Sequence, residues 1–479
     1  MKKDNFITLG LKAFYGFYEG ANQSRNRTFM PVVLKDSHET LTPWARKSVL
    51  SHSRWLCANF GIARGALKDM ARYSVGSGIW PQCQTGNPEW DQSAEDYWIN
   101  WAKVADFQEK FTFTQMLMLI SLSIDRDGDI GCILTEAPGG FPKIQLVEGH
   151  RIGDAPTVLI GDGETQDGVI LDKFGRVASY RVIQDDETTR DIPARSMMLL
   201  FDPDRTDQTR GISALAHAIN NLRDVKDILA FEKAGVKTNS ATAMVITNKS
   251  GEADSNDWDT TLNTDTATTG LMLEEIQGGT IRRLALGETL ESHGSNRPNP
   301  TFTGFLEFII RDVATGTGLP YEFIWNAEKL SGPSQRFIMQ KANRRFQERQ
   351  QLLVDRFLNR VWGYVISKAI KNGSLAKNPN WWRVKWQTPA QITVDVGREA
   401  AADRSDVEAG LRTAQTHYGE QGADWQDAYR QRVSEIAFLK REAEAQGLTL
   451  EQVQSFGNAA APSIPGAAQP RQQSAAPTP

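Results

Sequence analysis

The chain has 479 residues, enough for roughly two to four domains, and its 40% hydrophobic content excludes a wholly disordered protein. Its formal net charge is −4, whereas free-standing nucleic-acid binders carry a strong basic excess, so any contact with nucleic acid must come from a local patch or from enclosure. Three widely spaced cysteines, Cys57, Cys83 and Cys132, form no CxxC pair and predict neither a zinc site nor a disulfide framework.

The N-terminal part of the chain predicts helices followed by strands. Residues 1–46 show no sustained period and are interpreted as an arm, and Thr42–Val75 carries apolar residues at helical steps. Two further helices are predicted, one around Trp90–Trp101 and one over Phe113–Ile124. Short apolar runs between residues 130 and 200, broken by Gly, Asp and Pro, predict strands joined by tight turns.

The middle of the chain predicts two more helices. From Gly211 an amphipathic helix of about six turns places its apolar residues on one stripe: Leu215, Ile219, Leu222, Val225 and Leu229. Residues 241–300 are predicted to return to strands and polar loops, with Thr, Asn, Asp and Gly dense from 247 to 270. The segment "FTGFLEFIIRDVATGTG" predicts a short apolar helix that ends at Gly316 and Gly318.

A long helix is predicted in the second half, from about Pro333 to Lys371 and ending at Asn372-Gly373. Its first half is polar and basic, and its second half, Leu352–Ile370, should be buried. Strands are predicted at "WWRVKWQ" and "ITVDV", then two helices at about 398–416 and 423–446, and a disordered Ala/Pro/Gln-rich tail. The fold class expected from this order is α+β.

The strongest enzyme-like pattern is "IDRDGDIG", in which Asp125, Asp127 and Asp129 alternate. Alternating carboxylates can hold Mg²⁺ or Ca²⁺. However, the glycine and glutamate positions of a calcium-binding EF-hand loop are not matched. Because Asp-Gly pairs are common turn formers, we interpret the segment as the turn between the 113–124 helix and the strand "GCILTE".

Other candidate chemistry is weak. The Gly-x-Gly of "VGSGIW" leads from a helix into a strand, opposite to a phosphate-binding loop, and no histidines have the spacing of metal ligands on one helix face. We therefore expect no catalytic residues, no metal and no cofactor. The first thirty residues lack a signal-peptide pattern, and no stretch is long and apolar enough to span a bilayer, which predicts a soluble cytoplasmic protein without a membrane partner.

A basic cluster opens the long helix and is the best candidate for contact with nucleic acid. Its residues are Arg336, Lys341, Arg344 and Arg345. The same pattern is also typical of a solvated face or of one paired with acidic groups, and the sequence leaves both interpretations open.

The order of several segments resembles portal proteins of lambda-like tailed phages, from about Arg46 to Leu448. The N-terminal block "SRWLCANFGIARGALKDMARYSVGSGI" is similar to that of the family, as are "FTFTQMLMLISLSIDRDGDIGCIL" and "IQLVEGHRI". "RTDQTRGISALAHAINNL" resembles the family's Gln-x-Arg-Gly approach to a long helix. "GFLEFIIRDVATGTGLPYEFI" and "GLRTAQTHYGEQGADWQDAYRQRVSEI" resemble its later segments.

The resemblance implies a portal-type ring subunit with wing, stem, clip and crown regions. The implied regions are an N-terminal arm at 1–46, a wing at 47–210, a first stem helix at 211–240, a clip at 241–300, a second stem helix at 301–318, a channel loop at 319–333, the long helix with returning wing strands at 334–396, a crown helical hairpin at 397–450, and a disordered tail at 451–479.

The resemblance also implies a function without catalysis. The subunit would form a dodecameric ring at one capsid vertex, assembled in the host cytoplasm and retained in the virion, through which double-stranded DNA is packaged and ejected. The implied partners are the terminase packaging motor, a head-tail adaptor, scaffold and major capsid protein. Trp325, Asn326 and Lys329 are predicted at the channel-facing loop tip, and most of the basic cluster is predicted to pair with acidic groups of a neighbouring subunit. A metal-dependent DNA-processing enzyme and a non-portal head-completion adaptor remain the alternatives.

Overall fold

The computed structural model describes residues 34–154, 165–241, 245–248, 288–291, 302–325, 332–389, 391–392, 396–420 and 424–445. Two compact units divide the chain. Unit 1 comprises the residues up to 74 and residues 96–378, and unit 2 comprises residues 75–95 and those from 379 onward. The described part mixes helices and sheets, as the α+β expectation requires.

Unit 1 opens with helices α1 (Ser37–Thr40), α2 (Pro43–Asn59) and α3 (Gly61–Val75). The Thr42 side chain accepts from the Ala45 N–H and caps α2, with Pro43 in the first turn. The single helix expected over Thr42–Val75 is wrong in one respect, because Phe60 adopts an extended conformation that divides it. Most of the predicted arm, residues 1–33, lies outside the described residues.

An aromatic cluster forms where α4 (Pro88–Ala102) enters unit 1 and meets α5 (Phe113–Arg126). Trp98 and Trp101 stand 4.7 Å apart between ring centroids, and each lies 5.2 Å from Phe113. The Trp101 indole N–H donates to the Pro142 carbonyl, so this buried ring has its polar partner. Thr112 and Gln115 form a capping box that fixes the start of α5.

Two antiparallel sheets follow, as predicted for residues 130–200. Their strands are β2 (Asp129–Ala137), β3 (Phe141–Glu148), β4 (Thr165–Gln166), β5 (Val169–Leu171), β6 (Val177–Ile183), β7 (Thr189–Pro193) and β8 (Met197–Phe201). The first sheet has the order β3-β2-β8, and the second has the order β4-β5-β6-β7. All five residues of β8 are buried, although it is an edge strand of its sheet, so both of its faces are covered by the rest of the unit. Residues 155–164 lie outside the described part.

The next helix, α6 (Ile219–Ala241), begins eight residues later than the Gly211 start that the sequence predicts. Residues 213–218 form tight turns instead, because the Ala214 N–H and the Ser213 hydroxyl both donate to the carbonyl of Asp125. The predicted apolar stripe is buried at Leu215, Ile219, Leu222 and Val225. In the predicted clip, the described residues form one antiparallel pair, β9 (Val245–Asn248) with β10 (Glu288–Glu291).

Helix α7 (Phe302–Thr317) ends as the sequence predicts. The Leu319 N–H donates to the Ala314 carbonyl and the Gly318 N–H to the Thr315 carbonyl, with Gly318 at φ +77°. This is a Schellman motif, in which a residue without a side chain takes up the left-handed conformation at little cost. A short helix, α8 (Tyr321–Ile324), follows directly.

The long helix is confirmed with one interruption. Helix α9 (Gly332–Leu353) leads through a π-helical segment, Val354–Leu358, into α10 (Asn359–Lys371). The wide turn lies where the polar half meets the apolar half, which is buried as predicted at Leu353, Phe357, Leu358, Val361, Trp362, Val365, Ile366 and Ala369. The helix ends before Gly373, which has φ +76°, as expected.

Unit 2 contains the antiparallel pair β1 (Trp80–Cys83) and β11 (Val384–Gln387) and three helices, α11 (Val396–Glu408), α12 (Ala414–Glu420) and α13 (Trp425–Ala445). The prediction of two helices here is wrong, because the chain turns at Gly410, which has φ +71°, and divides the first of them. Of the predicted strand "ITVDV", Ile392 is not in a strand and Val396 begins helix α11, while residues 393–395 lie outside the described part. The predicted disordered tail lies outside the described residues.

Candidate functional site

The aspartate segment forms a turn, and the turn interpretation is confirmed. Helix α5 ends at Arg126, Asp127 and Gly128 make the turn, and β2 begins at Asp129. Gly128 has φ +96°, a conformation that favours glycine. The three aspartates are nevertheless more than turn formers, because all of them are buried.

Each of the three carboxylates is held by arginine. Asp127 receives two hydrogen bonds from Arg54, at 2.8 and 2.9 Å, and two from Arg126, both at 2.8 Å. Asp129 receives two from Arg210, at 2.6 and 3.0 Å. The turn is therefore the centre of a buried ion-pair network, which we call the arginine–aspartate cluster: Arg46, Arg54, Arg126, Arg210, Arg345, Arg349, Asp125, Asp127, Asp129, Asp167 and Asp202.

A metal ion at this turn would have to displace arginines, since both carboxylate oxygens of Asp127 and of Asp129 already accept hydrogen bonds from guanidinium groups. Within the described ranges, no group of three or more His, Cys, Asp and Glu is placed to hold a metal ion. Burial opposes ionisation of Asp127, but the hydrogen bonds from Arg126 and Arg54 outweigh it, so its pKa is lowered. Asp127 is thus an anion committed to its two arginines.

Arg210 is the most heavily bonded member of the cluster. Besides Asp129, its guanidinium donates to the carbonyls of Gly149, at 2.8 Å, and Ile152, also at 2.8 Å. Burial disfavours the charge of Arg210, but Asp129 and Asp167 outweigh this cost and raise its pKa. These bonds satisfy nearly every donor of a side chain that is 3% exposed, which buried charges require.

The contacts of the segment "QTRG" explain why it contains glutamine, arginine and glycine. The Gln208 amide donates to the Arg210 carbonyl and holds the chain for the buried guanidinium. The Gly211 N–H donates to Asp129 at 3.1 Å, and a Cβ on Gly211 would lie 1.9 Å from the Gly128 carbonyl oxygen. Only glycine allows the two backbones to approach so closely.

The other end of the cluster lies on helix α9. The Arg349 guanidinium is fully buried and donates to Asp125 at 2.5 Å and to Asp202 at 3.4 Å. Burial raises the pKa of Asp125, and the charge of Arg349 opposes that rise. Arg349 thereby joins helix α9 by ion pairs to the last turn of α5 and to the residue that follows β8, and Asp125 is 224 residues away in the sequence.

The predicted basic cluster divides into two groups. Arg345 pairs within its own chain, with Asp202 at 2.9 Å and Glu348 at 3.2 Å, while the expectation that most of the cluster pairs with a neighbouring subunit stays a prediction. The side chains of Arg336, Lys341 and Arg344 are exposed on the other face of α9, and their expected pairing stays a prediction.

The predicted channel loop is described at its two ends. Phe323 of α8 packs against Tyr73 and Phe346, with ring centroids 5.4 and 5.6 Å away, so the start of the loop is anchored. Trp325 follows with its side chain 51% exposed. Asn326 and Lys329 lie outside the described residues, and their place at the loop tip stays a prediction.

Sequence reasoning missed the partners of the aspartates. Arg46 pairs with Asp167, Arg54 with Asp127, and Arg210 with Asp129. The one available signal was the arginine of "QTRG", next to a glycine and before an apolar stripe. The other partners are far apart in the sequence and follow no local spacing.

Comparison with known proteins gives one family and distant structural neighbours. The model of the family described as phage portal protein, lambda family, matches residues 23–350, more than half of the chain. A protein of Halomonas phage phiHAP-1, described as a probable portal protein, is 22% identical over 449 residues, covering 86% of this chain and 82% of its own.

Solved structures are similar at lower levels. A chain from the virion of a native gene transfer agent particle covers 77% of this chain and 89% of its own, with 14% identity and a TM-score of 0.48. An HK97-family phage portal protein from Corynebacterium diphtheriae covers 64% and 92%, with 11% identity and a TM-score of 0.32. No helix in the described part of the chain is long and apolar enough to cross a membrane.

Proposed function

Because this chain belongs to the lambda family of phage portal proteins, we propose that it is the subunit of a ring that forms the DNA channel at one capsid vertex. The observation that carries the proposal is the match of the family model to residues 23–350. The proposed ring is a dodecamer. Its contacts are head-to-tail, so each subunit uses two different faces.

The segments support an assignment of regions. The helices and two sheets before Arg210 suit the wing (47–210), and the antiparallel helices α6 and α7 suit the stem (211–240 and 301–318). The pair β9–β10 lies between those two helices in the sequence, as a clip at 241–300 would. The long helix and β11 fall in 334–396, and α11 to α13 suit a crown at 397–450.

A channel loop at 319–333 is supported by its anchored start and by the exposed Trp325. In this assignment Trp325, Asn326 and Lys329 approach the duplex, while Arg336, Lys341 and Arg344 contact an adjacent subunit. A net charge of −4 suits a conduit, because each neutralised phosphate strengthens binding and a ring multiplies every contact.

The subunit would have a structural and not a catalytic role. Its partners would be double-stranded DNA in the channel, the terminase packaging motor, a head-tail adaptor, scaffold and the major capsid protein. It would assemble in the host cytoplasm and remain in the virion. The arginines that hold Asp125, Asp127 and Asp129 weigh against the alternative of a metal-dependent DNA-processing enzyme.

The deciding experiment is a mass measurement of the purified protein combined with electron microscopy. We expect closed rings of about twelve subunits with an open axial hole. A stable monomer or dimer at high concentration under several salt conditions would contradict the proposal. A ring without an open hole would favour a head-completion adaptor.

A further inference from the structure

An exposed groove runs between helices α6 and α7 and has two chemically different ends. Its volume is about 540 Å³. Its lining includes three acidic and three aromatic residues: Asp224, Asp227, Asp312, Phe231, Phe305 and Phe308. The Asn221 amide donates to Asp312 at 2.8 Å, which pairs the start of α6 with the end of α7. The helices are therefore antiparallel, so Asp224 and Asp312 lie toward one end of the groove, Phe305 and Phe231 lie toward the other, and Asp227 and Phe308 lie between them.

The other end of the groove is apolar and uncovered within one subunit. Phe231 and Phe308 are each 71% exposed, and Phe305 is 51% exposed. Exposed aromatic clusters of this kind, beside charged residues, are typical of protein interfaces.

The groove contains no lysine or arginine among its lining residues. Two cations on the same helices are engaged elsewhere. The Lys226 ammonium lies 4.0 Å from the centroid of the Trp55 ring, and the Arg311 guanidinium lies 4.9 Å from that of Tyr321. The acidic end of the groove thus suits a cationic ligand that comes from outside.

Helix α9 carries the complementary surface on its exposed face. Phe337, Lys341 and Arg344 follow one another at steps of four and three residues, which places them on one stripe. Phe337 is 69% exposed, and both cations are exposed. The opposite face, with Ala342 and Phe346, is buried in the subunit, so this stripe points outward.

The two surfaces match in spacing as well as in charge. Seven residues separate Phe337 from Arg344 on α9, and seven separate Phe305 from Asp312 on α7. At the helical rise each pair spans about 10 Å. An apolar group and a charge are therefore the same distance apart on both surfaces, with opposite signs of charge.

We propose that the groove between α6 and α7 binds the Phe337–Lys341–Arg344 stripe of a second copy of this chain. This inference rests on the proposed ring function and names two complementary faces of its head-to-tail contact. The phenylalanines pack together at one end, and Lys341 and Arg344 meet the aspartates at the other. Because the contact is head-to-tail, every subunit uses both surfaces.

The hairpin between β5 and β6 has a similar composition but a different geometry. Phe174 at its tip is 72% exposed and has Lys173 and Arg176 beside it. Those cations lie 5.0 and 5.9 Å from the Phe174 ring centroid, so they stack on their own aromatic ring. They are not separated from it by the 10 Å or so that the groove requires, and the hairpin serves as a matched control.

The test is a charge exchange measured by the fraction of protein in rings. Asp224→Lys with Asp227→Lys should reduce that fraction about tenfold or more, and so should Lys341→Asp with Arg344→Asp, because like charges then face each other. Combining all four changes in one chain should restore rings. Mixing the two double variants should also restore them, with the two chains alternating. Lys173→Asp with Arg176→Asp should leave rings unchanged.

The outcomes separate this inference from the ring proposal. Wild-type rings together with intact rings in both double variants would overturn the inference and leave the ring function standing. Loss of rings without restoration in the four-fold variant would also overturn it, since the groove would then bind another occupant. A wild-type protein that forms no ring would overturn both. Circular dichroism of each variant checks that it is folded.

A crosslinking measurement supports the test without any change of charge. The double variant Phe308→Cys with Phe337→Cys should give a ladder of covalent multimers on oxidation, while each single variant gives none beyond the wild-type background. Phe308→Cys with Phe174→Cys should behave as a single variant. A ladder from the control pair, or none from the Phe337 pair in assembled rings, would contradict the proposal.

Discussion

At the scale of single residues, the arginine–aspartate cluster defines unit 1. Its innermost pairs, Arg210–Asp129 and Arg46–Asp167, are buried, so their attraction is less screened than at a surface, but each charge depends on its partner. Arg210 and Asp129 are 3% and 0% exposed in their side chains. Removing one of them leaves the other buried without a counter-charge, and this cost determines the first prediction.

Arg210→Met should destabilise the protein by about 3–5 kcal/mol, because Asp129 would then be a buried and unpaired anion. The control is Arg72→Met, since Arg72 is 65% exposed and pairs with the partly exposed Asp69. Exposed pairs contribute about 0–1 kcal/mol. Urea unfolding of both variants measures the difference. If both variants lost the same free energy of unfolding, the Arg210–Asp129 pair would contribute no more to stability than a surface pair.

Glu95 in unit 2 gives a prediction of pH dependence. Its carboxylate accepts from the Cys83 N–H at 2.6 Å, and burial raises its pKa to about 7. In the unfolded chain the pKa of a glutamate is about 4.3. Between these values the folded protein holds a proton that the unfolded chain has released, so the contribution of Glu95 to stability is fully present below about pH 4 and is lost as pH rises through about 7.

Glu95→Gln should remove this dependence and make the protein more stable than the wild type above pH 7, by on the order of 1 kcal/mol after allowing for solvent screening. Urea midpoints at pH 5 and pH 8 measure the slope. Glu89→Gln, on the exposed face of the same helix, should keep the wild-type slope. The prediction is wrong if Glu95→Gln keeps that slope too.

At the scale of elements, close backbone approaches determine where helices begin. Gly211 lies against the α5–β2 turn, and a Cβ there would meet backbone atoms of Gly128, which cannot move aside as a flexible side chain can. Gly363, within α10, has nothing within 4 Å of its Cβ position. The same glycine-to-alanine substitution should therefore change the free energy of unfolding in opposite directions at the two positions.

Gly211→Ala should lower the free energy of unfolding by at least about 2 kcal/mol, because the backbone at residue 211 must move away from the α5–β2 turn. Gly363→Ala should stabilise the protein by roughly 0.5–1 kcal/mol, since alanine is the better helix former. Thermal unfolding of the two variants is the measurement. Stabilisation by both substitutions would show that the approach at Gly211 does not constrain the fold.

At the scale of the whole molecule, the proposed regions should be separable. Replacing residues 241–300 by a short flexible linker should leave the two sheets and the arginine–aspartate cluster folded, since none of those contacts comes from this segment. Binding to the head-tail adaptor or the packaging motor should be lost. Hydrogen exchange of the sheet strands measures the first effect, and co-sedimentation with the partner measures the second. Loss of protection in the strands would contradict the assignment of a clip.

The channel loop gives a second prediction at this scale. Trp325→Ala and Lys329→Ala should leave rings intact and impair packaging or retention of DNA, because both residues are proposed to face the duplex and not a subunit contact. Ring mass and the DNA content of assembled heads are the two measurements. The control is Phe174→Ala at the β5–β6 hairpin, which should affect neither. Loss of rings in the loop variants would place the loop in the assembly contact instead.

Features that depend on local chemistry could be predicted from the amino-acid sequence. The helix ends at Gly318 and Gly373, the turn at Asp127-Gly128 and the apolar half of the long helix were all predicted correctly. Each follows from a conformational preference or a periodicity that acts over a few residues. The order of such segments was also enough to indicate the portal family.

The tertiary structure alone decided the features that depend on distant partners. Helix α6 starts late because residues 213 and 214 donate to the Asp125 carbonyl, which is almost 90 residues away in the sequence. The local sequence pattern places Arg349 on a basic helix face, yet in the structure it is buried against an aspartate that is 224 residues away in the sequence. A charge run shows that cations are present, but whether each is solvated, paired or turned outward depends on which carboxylates the fold brings within reach.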